Sequence, residues 1–206
     1  MSTIVFVTAA VSSIIFQSTT FALPKIFDER LQGLAANLSA WLQGVATADN
    51  TDVATAIGSL AFVVFAVASM AQLVVGAALD RVGPRQVFMA VAVMQLVFFV
   101  LMPGLQDGLA LAVALGFMLG AFGQIPISDF LIGKMASGAH RAQVYAVRYV
   151  VSFSVLAISL PMIAYVYANW GFDVLFYILA AAALVILLTV SALPRRMPAP
   201  QQAKIA

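Results

Sequence analysis

Cysteine is absent from this sequence and histidine occurs once. The first absence excludes a disulfide framework and thiolate chemistry, and a single histidine cannot make a zinc site. Charge is scarce as well. Asp, Glu, Lys and Arg together make 9% of the chain, against about 25% in an average soluble domain. Ten basic and eight acidic side chains cannot give a 21.7 kDa globule the mixed-charge coat that water requires. A soluble enzyme and a disordered chain are excluded on that ground. The net charge of +2 and sequence pI near 9.2 look basic, but ten Lys and Arg spread over this length make no footprint for a polyanion, so no nucleic-acid partner is expected. What remains is apolar: hydrophobic residues fill 64% of the 206 positions, and mean hydropathy is +1.06. About six spans of roughly 20 residues would account for that excess.

The chain supplies six such runs, at about 4–23, 55–79, 87–102, 108–130, 142–168 and 174–193. The first follows Met1 without a basic region or a small-x-small cleavage site and reads as an uncleaved span. The third stops at Pro103-Gly104 and the sixth at Pro194, where a hydrogen-bonded helix cannot continue. The runs are continuous and twice the length of barrel strands, so helices rather than a closed barrel are expected. The fold class is therefore an all-α polytopic membrane protein. One transmembrane domain covers 1–193, and a polar, proline-containing tail at 194–206 reads as disordered.

Charge then orients the spans. With both termini on one side, the near-side segments hold Arg81, Arg85, Lys134, Arg141, Arg148, Arg195, Arg196 and Lys204, while the far side holds only Lys25 and Arg30. Eight against two places both ends in the cytoplasm, as in a protein of a bacterial inner membrane. The long connection, 24–54, lies outside. Its Phe27, Leu31, Leu34, Leu38, Trp41 and Val45 recur every three or four residues, the pattern of an amphipathic helix that continues span one or lies on the outer surface. It reads either as a stiff helix packed on its neighbours or as an outer gate or partner-binding element. TADNTD, 47–52, reads as a turn and cap before span two.

Between spans two and three stands GAALDRVGPR, Gly76 to Arg85. Gly83 suits a tight turn, Pro84 starts the next helix, and Gly76 would let a neighbouring helix approach. Asp80 could pair with Arg81, Arg85, Arg141 or Arg148 and latch one conformation; alternatively the arginines only set topology and touch lipid phosphates. Asp129 and Arg148, charges within spans four and five, are costly in lipid and need partners. An ion pair between them, joined by Arg81, is one account. Contact of Arg148 with an anionic solute and a proton-relay role for Asp129 are the others.

GAALDRVGPR resembles the loop signature G-x-x-x-D-[RK]-x-G-[RK]-[RK] of the major facilitator superfamily of secondary transporters, through Gly76, Asp80, Arg81, Gly83 and Arg85. Pro84 departs from it. Further along, GFMLGAFGQIP (116–126), HRAQVYAVRY and the Ser-rich fifth span resemble helices ten and eleven of such transporters, and the segment from Trp170 resembles helix twelve. The resemblance thus implies the C-terminal six-helix half of the fold. It also implies a cavity lined by helices seven and ten, with Gln17 and Gln124 as leading candidates beside Gln72 and Ser128. Phe16, Phe122 and Tyr145 would supply aromatic walls. For each glutamine an interhelical hydrogen bond without a ligand is the competing reading.

The function expected is movement of a small solute by alternating access, without a cofactor. It would require pairing with a second copy or a separate six-helix chain. The alternative is an accessory or structural subunit of a larger membrane complex. An enzyme is not expected, because the spans lack paired acids, His clusters or a Ser–His arrangement.

Overall fold

A computed structural model describes residues 2–45, 53–135 and 141–192, and all of them lie in helices or short connections. The order is α1 (Ser2–Arg30), α2 (Gln32–Val45), α3 (Val53–Val82), α4 (Pro84–Leu101), α5 (Asp107–Met135) and α6 (Arg141–Ser191). The expected cap at 47–52 and the tail at 194–206 fall outside the described residues. Among the described residues, five helical segments are long and apolar enough to cross a membrane. The last, Ala142–Ser191, has 50 residues and would measure about 75 Å if straight, more than twice the hydrocarbon thickness of about 30 Å.

Gly171 resolves that excess. Its φ of 76° and ψ of −176° interrupt the helical dihedrals of α6, leaving a first arm (141–170) and a second arm (172–191). Arg148 in the first arm meets Asp129 near the end of α5, and Arg85 at the start of α4 donates to the Ser191 carbonyl at the end of the second arm (2.8 Å). The far ends of α1 and α4 meet the break itself, through Arg30 and Gly104 on Asp173. The two arms therefore fold back on one another, and no loop separates the runs expected at 142–168 and 174–193.

Helix α1 continues span one past Leu23 through Pro24 to Arg30, one of the two readings of the long connection, and α4 begins at Pro84 as expected. Helix α5 passes through Pro126 to Met135, beyond the expected end of span four at 130. Neither proline ends its helix, because neighbouring packing holds the backbone through the missing bond. The described part of the 24–45 stretch is divided between α1 and α2 at Leu31. There the Asp107 carboxylate accepts the Leu34 N–H (2.8 Å), and a Cβ on Gly33 would stand 2.9 Å from both carboxylate oxygens. The Leu31 and Ala35 N–H groups keep their bonds to Phe27 and Leu31, so the side chain takes one N–H out of the i→i−4 ladder. Leu31, Ala35 and Ser39 are buried, whereas Trp41 is 61% exposed.

Helix α5 is central, packing on α1, α3 and α4, while α6 lies along α1 and α4. Phe99, Phe117 and Phe176, all fully buried, join α4, α5 and the second arm with ring centroids 5.3–6.5 Å apart. Close approach of α4 to α5 depends on Gly120, where a Cβ would fall 2.5 Å from Gln95 Cγ. At Gly76, where close approach was expected, a Cβ would meet nothing within 4 Å.

Candidate functional site

A cleft of about 200 Å³ opens between α1, α5 and the first arm of α6. From α1 come Ser12, Ser13, Phe16 and Gln17, from α5 Gln124, Ile125 and Ser128, and from α6 Arg148 and Ser152. Three of the four residues expected to line a cavity thus meet in one place. Gln72 does not line it: α3 packs on the other elements around α5, and Gln72 is half-buried there. Phe16 forms a wall and is braced by Phe122 edge-on at 5.3 Å. Tyr145 stays outside the cleft, with its hydroxyl near Gly133.

Gln124 has two engagements. Its amide Nε2 donates to Gln95 Oε1 across the α4–α5 contact, with both side chains buried. Gln124 Oε1 and Gln95 Nε2 are left without partners, as is the buried Ser12 hydroxyl. The pair is an interhelical bond that leaves one acceptor unspent on Gln124, a residue of the cleft lining. Replacing either glutamine by leucine is expected to cost about 1–3 kcal/mol, because the surviving amide is stranded in an apolar interior. The double Gln95→Leu/Gln124→Leu variant should recover about 1 kcal/mol of the summed loss in a detergent unfolding cycle. Strict additivity would show that the two amides are not coupled.

Arg148 and Asp129 form the ion pair that charge burial demands. Arg148 is 20% exposed and lines the cleft, while Asp129, 45% exposed, stands outside its lining. The glycine-rich turn contributes differently from expectation. Gly83 takes φ 97° and Pro84 occupies the first turn of α4. Asp80 and Arg81 are exposed, and among the described residues Asp80 has no ion pair with Arg81, Arg85 or Arg148. The Arg141 side chain lies outside the described residues. Arg85 is drawn instead to the Ser191 carbonyl, one of the acceptors that a helix end leaves free. Arg81 likewise takes no part in the Asp129–Arg148 pair.

The opposite end holds a network that residue spacing did not reveal. Arg30, only 10% exposed, bonds Asp173 at 2.5 Å and reaches the Leu105 carbonyl at 3.4 Å. Asp173 also accepts the Gly104 N–H at 3.3 Å. In the sequence these residues signal only sidedness, since their partners lie 69 to 143 positions away.

No curated protein and no solved structure matches the chain significantly. A family model described as Major Facilitator Superfamily matches residues 5–206. With that match and its long apolar helices, the chain is an integral membrane protein of transporter type and belongs to the major facilitator superfamily.

Proposed function

We propose that the chain crosses the membrane six times, counting each arm of α6, and forms one wall of a solute pathway that works by alternating access. The cleft between α1, α5 and the first arm carries this reading. It gathers Ser12, Gln17, Gln124, Ser128 and Arg148 from elements whose other exposed residues include large apolar ones, such as Phe21 on α1, Leu109 on α5 and Phe153 and Ile158 on α6. Polar groups at membrane depth are tolerated where they line a water-filled path. The pathway is completed by a second six-helix unit, either another copy or a separate chain, which covers polar groups that lipid would leave unpaired. The end bearing Arg81, Arg85 and Arg148 faces the cytoplasm of a bacterial inner membrane, in keeping with the asymmetry of Lys and Arg.

The absence of native cysteine makes a thiol test clean. An impermeant maleimide should label Gln17→Cys in intact membranes and leave the lipid-facing Phe62→Cys unmodified. Asn50→Cys and Gln202→Cys should react from opposite sides. Equal reactivity of the first two, or same-side labelling of the second two, contradicts the proposal. A bifunctional maleimide at Gln17→Cys should also capture the second unit. Gly120 is unsuitable for the same cross-linking, because its side faces Gln95 inside the bundle.

A further inference from the structure

Arg148 is the one charged residue among those lining the cleft, and the chemistry around it specifies an occupant. Its ion-pair partner, Asp129, approaches from outside the lining and is the more exposed of the two. A guanidinium carries five N–H donors in a fixed fork and matches a carboxylate bidentately. A single contact with Asp129 leaves donors for a second anion. Within the same cleft, Gln124 Oε1 and the Ser12 hydroxyl are buried without partners. Buried polar atoms of this kind are costly until matched. Gln124 Oε1 can only accept, so it calls for an O–H or N–H on the occupant. A cleft of about 200 Å³ suits a small molecule.

We infer that the cleft binds a small hydroxy- or amino-carboxylate, whose carboxylate takes Arg148 in competition with Asp129 while its hydroxyl or amino group donates to Gln124. Asp129 thus serves as an internal counter-ion that holds Arg148 when the cleft is empty and is released when the solute arrives. This rests on the reading of the cleft as a solute pathway. It adds to that reading the sign of the solute's charge, its second functional group and the residue that the solute displaces.

The test uses the full chain in native membranes with the Gln17→Cys reporter, and maleimide labelling rates in the presence of lactate, glycerate, glycine, acetate, inorganic phosphate, glycerol, glucose or choline. Lactate, glycerate or glycine should slow labelling, and acetate, which lacks the donor for Gln124, should do so only at higher concentration. Asp129→Asn removes the competitor and should lower the protecting concentration about tenfold. Arg148→Gln should abolish protection while labelling itself persists, and Arg148→Lys should retain part of it. Protection by glycerol, glucose, choline or phosphate alone overturns the inference, as does protection that survives in Arg148→Gln or is unaffected by Asp129→Asn. So does labelling that none of the probes slows. If Gln17→Cys is never labelled, the aqueous pathway itself fails, an outcome distinct from a labelled but carboxylate-insensitive cleft.

Discussion

Gly171→Ala is expected to lower unfolding stability by about 1–3 kcal/mol, the cost of holding an L-residue in backbone space that glycine alone enters freely. Steric crowding contributes nothing to the loss, since a Cβ at Gly171 meets no atom within 4 Å. The penalty is conformational, so size should matter little, and serine should cost about as much as alanine. A D-alanine introduced by semisynthesis supplies the control. Its preferred dihedrals mirror those of L-residues, and the mirror image of φ 76°, ψ −176° lies in the ordinary extended region. It should restore wild-type stability in a detergent unfolding titration. An L-alanine variant as stable as the parent would show that the reversal in α6 does not need a positive φ. The effect is large because the helix has few other reasons to turn here. Asn169 and Trp170 are helical and exposed, and Tyr167 stacks on Phe172 across the break at 4.4 Å, a contact that depends on the turn.

A loss of similar size, about 1–3 kcal/mol, should follow Arg30→Met, which keeps the apolar stem and removes the charge-assisted bonds. Arg30 is nearly buried, but Asp173 is 44% exposed, so solvent reduces the effect below that of a fully buried pair. Asp173→Asn should cost less, because an amide oxygen can still accept from Arg30 and from Gly104. The two variants together should lose less than their sum. Salt is a second readout: the partly exposed pair weakens as ionic strength rises, so the difference between parent and Arg30→Met should narrow in high salt. Equal stability of Arg30→Met and parent at low salt would reduce this network to a surface contact.

Hydropathy and charge marked where the chain is apolar and which ends are basic, because those properties are local sums over 20 residues. The same sums ended one run at 168 and began the next at 174, and the break at Gly171 falls in that gap. They could not show the helix break at Leu31, beside which Leu34 donates to Asp107, 73 positions away. Polar residues in apolar runs, together with the family resemblance, pointed to Gln17, Gln124 and Ser128, which share the cleft. Gln72 has the same local signal and lies elsewhere, since a helix that is apolar all round does not reveal which side meets its neighbours. The position of Asp80 followed from motif spacing, but its partners depend on side chains from other helices. The cost of burying Arg148 and Asp129 made an ion pair between them one of three accounts, and the structure shows that pair.

The reversal at Gly171 also governs how the chain can enter a bilayer. Insertion machinery reads hydrophobic segments and flanking positive charge as they emerge. Between Ala142 and Ser191 it meets an apolar stretch interrupted only by Arg148 and Asp173 among charged residues. No hydrophilic loop emerges between the arms that could be translocated ahead of the second one. On the proposed six-span reading, insertion of the two arms as a hairpin is the expected route, since in the sequence Arg141 and Arg148 stand at the start of this stretch and Arg195 and Arg196 follow it.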